Sequence, residues 1–342
     1  MKKIIKILLL TLLTVAFLSC GEKIDTSVWL NNYEDAKKAA SSESKLIFAL
    51  FSELEADGKS AKLKENLFDT EDFIKTYTEK YVLLNLDYSN SRTENDSENL
   101  SKDMRIFESY DVKEIPYFLV LSPEGYVITR LAFEENADLD YARITFSEAE
   151  ETIRHFQEIL ARTKSGTDEE RLSAIDEIFD LTDPGDTYHL RPLSKLYLSL
   201  DKKNKTGNYT KHAISLTYAK VQDYLMDGEE EKGCEEFVKL AKDKNLSPDD
   251  KQMAYYTAGY VLVSSRSENF KKMMEYFQMA YDVNPESEAA QTIKMAIDYV
   301  QMMIDGEGDY APQQKEESAE QSENPAAESD QVNEEGQNHD GE

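Results

Sequence analysis

Cysteine is almost absent: 342 residues hold two, Cys20 and Cys234. That excludes a disulfide framework and leaves no pair at the spacing of a thiol–disulfide couple. Histidine is nearly as scarce, and His155, His189, His212 and His339 fall at no metal-ligand spacing. There is no glycine-rich phosphate loop, no nucleophile elbow and no His–Glu zinc helix. A faint calcium-loop pattern at 305–316 lacks glycine at its sixth position. No metal or other cofactor is therefore implied. Positive charge is short as well: 39 Lys and Arg stand against 68 Asp and Glu, a formal net charge of -29. Phosphate recognition needs a basic surface, which argues against nucleic acid as a partner. The acidity implies a well-hydrated exterior.

What is present begins with a targeting segment. Lys2, Lys3 and Lys6 precede an apolar run at 7–18, too short to span comfortably as a mature helix, and Ser19, Cys20 and Gly21 follow. "AFLSC" resembles a bacterial lipobox, with Phe17 where leucine is usual. The resemblance implies a signal peptide at 1–19, cleavage before Cys20 and a diacylglycerol thioether on its sulfur. The mature chain would hang from a bacterial envelope membrane, on its extracytoplasmic side, by a tether at 20–28. The alternative is a secretory peptide cut elsewhere, with Cys20 incidental. A lipidated Cys20 leaves Cys234 alone, so stability rests on packing. In "EEEKGCEEF" acidic neighbours raise a thiol's pKa, and Cys234 reads as a small buried hydrophobe.

Helices and strands alternate between 29 and 163. The pattern predicts a helix at 33–42, a buried strand at 46–51, helices at 61–67 and 71–80, and a strand at 81–86. A helix at 97–110, a strand at 117–121, a Pro–Gly turn, a hairpin partner at 126–130 and a long helix at 147–163 follow. This order is α/β with a terminal hairpin. It resembles the thioredoxin fold, and the likeness rests on "AKKAASSESKLIFALFS", "KLKENLFDTEDFIKTYTEKYVLLNLD" and "YDVKEIPYFLVLSPEGYVI". In that family two cysteines open the helix after the first central strand. Alignment through "LKENLF" puts Asp57 and Ser60 at those two positions, so the motif reads Asp57-Gly58-Lys59-Ser60. The resemblance also makes Ile115-Pro116 the cis-proline loop, which in the family offers backbone groups to a bound peptide. A carboxylate does not exchange with disulfides, and the pKa of a serine hydroxyl is far above that of a reactive thiol. Asp57 is expected to favour a helix start through charge and capping, and Pro116 to shape its loop.

Beyond 166 the strands stop. Helices are expected at 172–181, 188–200, 212–226, 231–242, 249–264 and 269–281. Cys234, Val238 and Ala241 recur in spacing as Met273, Phe277 and Ala280. "NFKKMMEYFQMAYDVNPES" resembles the second helix of a tetratricopeptide repeat, with Pro285 at its closing proline. The expected units are a thioredoxin-like domain at 29–163 and a tetratricopeptide-like helical domain at 166–305. Stacked helix pairs of that kind bury each other's apolar faces and expose a groove for proteins. From 306 to 342 the chain is mostly Glu, Gln, Ser, Asn and Ala, with Lys315 its only Lys or Arg. This composition predicts a disordered acidic tail.

Three functions follow as expectations. One is a redox-inactive lipoprotein that binds envelope proteins or peptides, as a chaperone or assembly scaffold. Another is an enzyme that borrows a partner's thiol, or that uses Asp57 and Lys59 for unrelated chemistry. Two residues apart on a helix, that pair would not face each other. The third is a surface lipoprotein whose acidic exterior matters more than any pocket.

Overall fold

The structure, a computed structural model, describes residues 28–55, 58–89 and 97–306. Cys20 with the signal and tether segments, Asp57, and the acidic segment after 306 lie outside the described residues.

Four strands form one sheet: β1 (Leu46–Ser52), β2 (Tyr81–Asp87), β3 (Tyr117–Leu121) and β4 (Val127–Leu131), in the order β2-β1-β3-β4. β1 runs parallel to β2 and antiparallel to β3, and β3–β4 is the hairpin. All seven β1 residues are buried, because helices cover both faces. Strand alternation sorts them. Ile47, Ala49 and Phe51 join Tyr33 and Ala36 of α1 (Tyr33–Glu43) and Phe107 of α4 (Ser97–Ser109). Leu46, Phe48 and Leu50 join Leu63 of α2 (Lys59–Leu63), Phe73 of α3 (Glu71–Tyr77) and Phe146 of α5 (Leu139–Ser165). Two covered faces require a strand that is apolar throughout, which is why 46–51 reads as an unbroken run.

Three elements differ from the sequence expectation. The helix after β1 is α2 followed by a single π turn, Lys64–Phe68, rather than one α-helix from 61. α5 starts at Leu139, with the Asp138 side chain accepting the Tyr141 amide, eight residues before 147. Its first turns expose Tyr141 and Ile144 (37% and 61%), and apolar residues on the wet side hide the helical period. A last helix, α12 (Ala290–Ile304), was not anticipated from the sequence at all. It buries Ala290, Ile293 and Val300 yet exposes Met295, Tyr299 and Met302 beside Gln291, Lys294, Asp298 and Gln301, so apolar residues interrupt its polar side.

The all-helical region continues with α6 (Asp168–Leu181), a 3₁₀ turn (Pro184–Leu190), α7 (Arg191–Leu200), α8 (Tyr209–Met226), α9 (Glu230–Ala241), α10 (Pro248–Ser264) and α11 (Phe270–Val283) before α12. From α8 onward each helix packs on the next. No helix among the described residues is long and apolar enough to cross a membrane. Leu172, Ile175 and Ile178 of α6 and Leu193 and Tyr197 of α7 bury in the same cluster as the sheet. A separate cluster begins at Ala213 in α8 and ends at Val300 in α12. The packing therefore changes hands around 201–208, in the turn between α7 and α8.

A polar network ties the 3₁₀ turn to the sheet unit. The Tyr110 hydroxyl donates to the Gly125 carbonyl (2.8 Å) and so accepts from Tyr33 (2.6 Å). Gly125 has φ +92, and a Cβ there would meet the Tyr33 hydroxyl at 2.2 Å, so glycine is required on two counts. His189 stacks on the Tyr110 ring at 3.8 Å and its Nε2 lies 3.1 Å from the Ser109 carbonyl. Burial pushes its pKa down to about 3. The ring is neutral, and facing a carbonyl, Nε2 carries the proton. Arg130 on β4 donates to Asp183 (2.7 Å) and to the buried Asp186 (2.6 Å).

Candidate functional site

The motif loop leaves the sheet at the end of β1, and the strand register decides what lies beside it. Phe51 pairs with Tyr117 in the antiparallel β1–β3 ladder, so Pro116 falls at the same sheet end as the loop after Ser52. The Ile115–Pro116 peptide is cis.

The loop is held by backbone and side-chain hydrogen bonds. Ser52 donates to Asn85 Oδ1 (2.8 Å), and the Leu54 amide donates to Asp87 Oδ1 (3.1 Å), so the end of β2 fixes the start of the loop. The Gly58 amide closes a turn onto the Glu55 carbonyl (3.1 Å), and the Gly58 carbonyl accepts the Lys62 amide (3.1 Å). Gly58 is the N-cap of α2, with no side-chain cap. A Cβ at Gly58 would lie 3.2 Å from the Glu55 oxygen, which favours the bare backbone here. Lys59 projects into solvent.

Ser60, which the resemblance puts at the second cysteine position, is 3% exposed, and its hydroxyl oxygen accepts the Glu53 amide (3.2 Å). A buried oxygen that satisfies a loop amide is a strut, since losing it would leave a donor unpaired. No histidine lies in this loop to act as its base. The remaining cysteine of the described residues, Cys234, is 0% exposed on α9, and burial pushes its thiol up to about 12. It is neutral and sealed, the reverse of a reactive thiolate. With two cysteines in the chain and no CxxC pair, the thioredoxin type of catalysis is lost. No group of three or more His, Cys, Asp or Glu among the described residues is placed to hold a metal ion.

Residues 33–133 match a thioredoxin-like domain family. The N-terminal unit is a thioredoxin-like domain. Residues 207–305 match a second family, described as an uncharacterised protein C-terminal domain; they span the α8–α12 cluster, whose own core sets it apart from the thioredoxin-like unit. Among solved structures, one titled DsbH Oxidoreductase is similar at 15% identity with a TM-score of 0.32, over 40% of this chain and 97% of that one. No curated protein matches the chain.

Of the four motif residues named from sequence, Gly58 and Ser60 sit together at the helix start, Lys59 points away, and Asp57 lies outside the described residues. The helix cap seen is Gly58. The fastening residues Ser52, Asn85 and Asp87 escaped sequence reasoning. Their signal was polar residues closing two apolar strands, in "LFS" and "LNLD".

Proposed function

We propose that this chain is a redox-inactive binding module, held outside the cytoplasmic membrane of a bacterium by lipid on Cys20, that docks a protein or peptide. A single observation carries this. Within 209–304, α8 exposes Tyr218 and Leu225, α10 exposes Met253 and Tyr260, and α12 exposes Met295, Tyr299 and Met302, while α9 and α11 expose no large apolar side chain. Single exposed hydrophobics need no explanation, but their confinement to alternate helices of a sequential stack supports an interaction face. Paired helices of the tetratricopeptide kind fit this: Cys234 and Ala241 of α9 are buried, as are Met273, Phe277 and Ala280 of α11. The thioredoxin-like domain then serves as a rigid frame, and a chaperone or assembly-scaffold role follows. Insulin reduction and dithiol oxidation should show no turnover above buffer. Robust turnover would favour the alternative, an enzyme completed by a partner's thiol.

A further inference from the structure

An aromatic cluster of Tyr77, Tyr81 and Phe146 lies at the sheet end opposite the motif loop, where β1 and β2 begin. β1 separates the two places by about 20 Å at ordinary strand rise. Here the starts of both strands, the end of α3 and the face of α5 line a half-open cleft of about 580 Å3, within the size range of small-molecule sites. Its floor is aromatic: the Phe146 ring lies 4.3 Å from Tyr77 and 5.3 Å from Tyr81 between centroids. Leu46 and Ile153 complete the apolar lining.

Two phenols reach this cavity with unused capacity. Tyr77 and Tyr81 are 5% and 6% exposed. Neither hydroxyl has a hydrogen-bond partner among the described residues, and neither is among the sealed polar atoms. Burial pushes both up to about 12, so at neutral pH each is an O–H donor.

The mouth gathers four cations in an acidic protein, each already paired with a carboxylate, Lys45 with Glu43 at 2.6 Å. Lys45, Lys80, Arg143 and Arg154 line it against Glu43, Glu79 and Glu150. Arg143 leans on Asp140 (2.9 Å) and Arg154 on Glu158 (2.7 Å), both outside the lining. Lys80 pairs loosely with Glu150 at 3.4 Å. Exposed pairs of this kind contribute little, and a ligand carboxylate offers each arginine a bidentate replacement. The three glutamates disfavour a ligand with several negative charges.

We propose that this cavity binds a small amphipathic monoanion, an apolar or aromatic body laid on Phe146, Tyr77 and Tyr81 with one carboxylate held by Arg143, Lys80 and the two phenols. The exposed α8–α12 residues play no part in it, so this site and the docking face stand or fall separately. The test uses the full chain and two fluorescent probes: 1-anilinonaphthalene-8-sulfonate, whose sulfonate stands in for the carboxylate, and N-phenyl-1-naphthylamine, the same rings without charge. The sulfonate probe should bind saturably. Combining Arg143→Glu with Lys80→Glu, both on exposed side chains, should weaken it about tenfold or more while the neutral probe changes by less than about twofold. Combining Tyr260→Ser with Met295→Ser should change neither. Absence of saturable binding, indifference to the charge reversal, or loss on the Tyr260 and Met295 substitutions instead would overturn the assignment.

Discussion

Ser60 and His189 carry polar atoms at places where burial decides their behaviour. The resemblance of "LKENLF" puts the serine at a cysteine position. Its use as the acceptor for the Glu53 amide was not legible from sequence, since that depends on how the loop folds back. His189 looked like one of four scattered histidines, yet it is clamped between Tyr110 and the Ser109 carbonyl. Folding holds its pKa down at about 3, whereas an unfolded histidine titrates near 6.5. Between those values the unfolded chain takes up a proton that the folded chain refuses, so stability is full above pH 6.5 and falls as pH drops through this window. From pH 7 to pH 5 the loss through this one group is about 2 kcal/mol. His189→Phe keeps a ring against Tyr110 and removes the titration. Urea unfolding at the two pH values should show a pH dependence shallower by that amount in the variant, and equal dependence in both proteins would contradict the assignment.

Among the elements, buried strands closed by polar residues were readable from the chain, and α12 was not. β1 and β3 are buried runs with polar ends, and 117–121 coincides with the observed strand. α12 sets exposed Met295, Tyr299 and Met302 beside its polar stripe of Gln291, Lys294, Asp298 and Gln301, so the stripe is narrow and easily passed over. The π turn at Lys64–Phe68 leaves no periodic trace in five residues. Helix contact sets a sharper constraint at Gly259 of α10, where a Cβ would meet the Phe277 ring of α11 at 2.7 Å. Propensity alone favours alanine over glycine by roughly 1 kcal/mol, while overpacking costs about 1–3 kcal/mol. Phe277 is 2% exposed and hemmed in, so packing wins. Gly259→Ala should destabilise the protein by up to about 2 kcal/mol, seen as a lower thermal midpoint; a higher midpoint would show that the ring yields.

Across the whole molecule the change from strands to helices and the change from one core to the next fall at different places. The strands end at Leu131, but the core they start runs through α5, α6 and α7 to Tyr197. Composition marks the first change and says nothing of the second, because apolar residues in a helix do not name their partners. A fragment of residues 28–206 keeps that core, the Arg130 ion pairs and the His189 stack together. One of residues 28–164 strips the partners from Ile159 and Leu160. In urea the longer fragment should unfold cooperatively and the shorter one at a clearly lower midpoint; equal midpoints would mean α6 and α7 add nothing to the sheet unit.

The exposed apolar residues on α8, α10 and α12 form the proposed docking face, and position-specific photocrosslinking in intact cells tests it most directly. Benzoylphenylalanine would replace, one at a time, Tyr260 on α10 and Tyr299 on α12, and the exposed Lys239 on α9 and Lys271 on α11. A discrete adduct from Tyr260 and Tyr299, with none from Lys239 and Lys271, is the expected result. Equal adducts from all four positions, or none from Tyr260 and Tyr299, would contradict it.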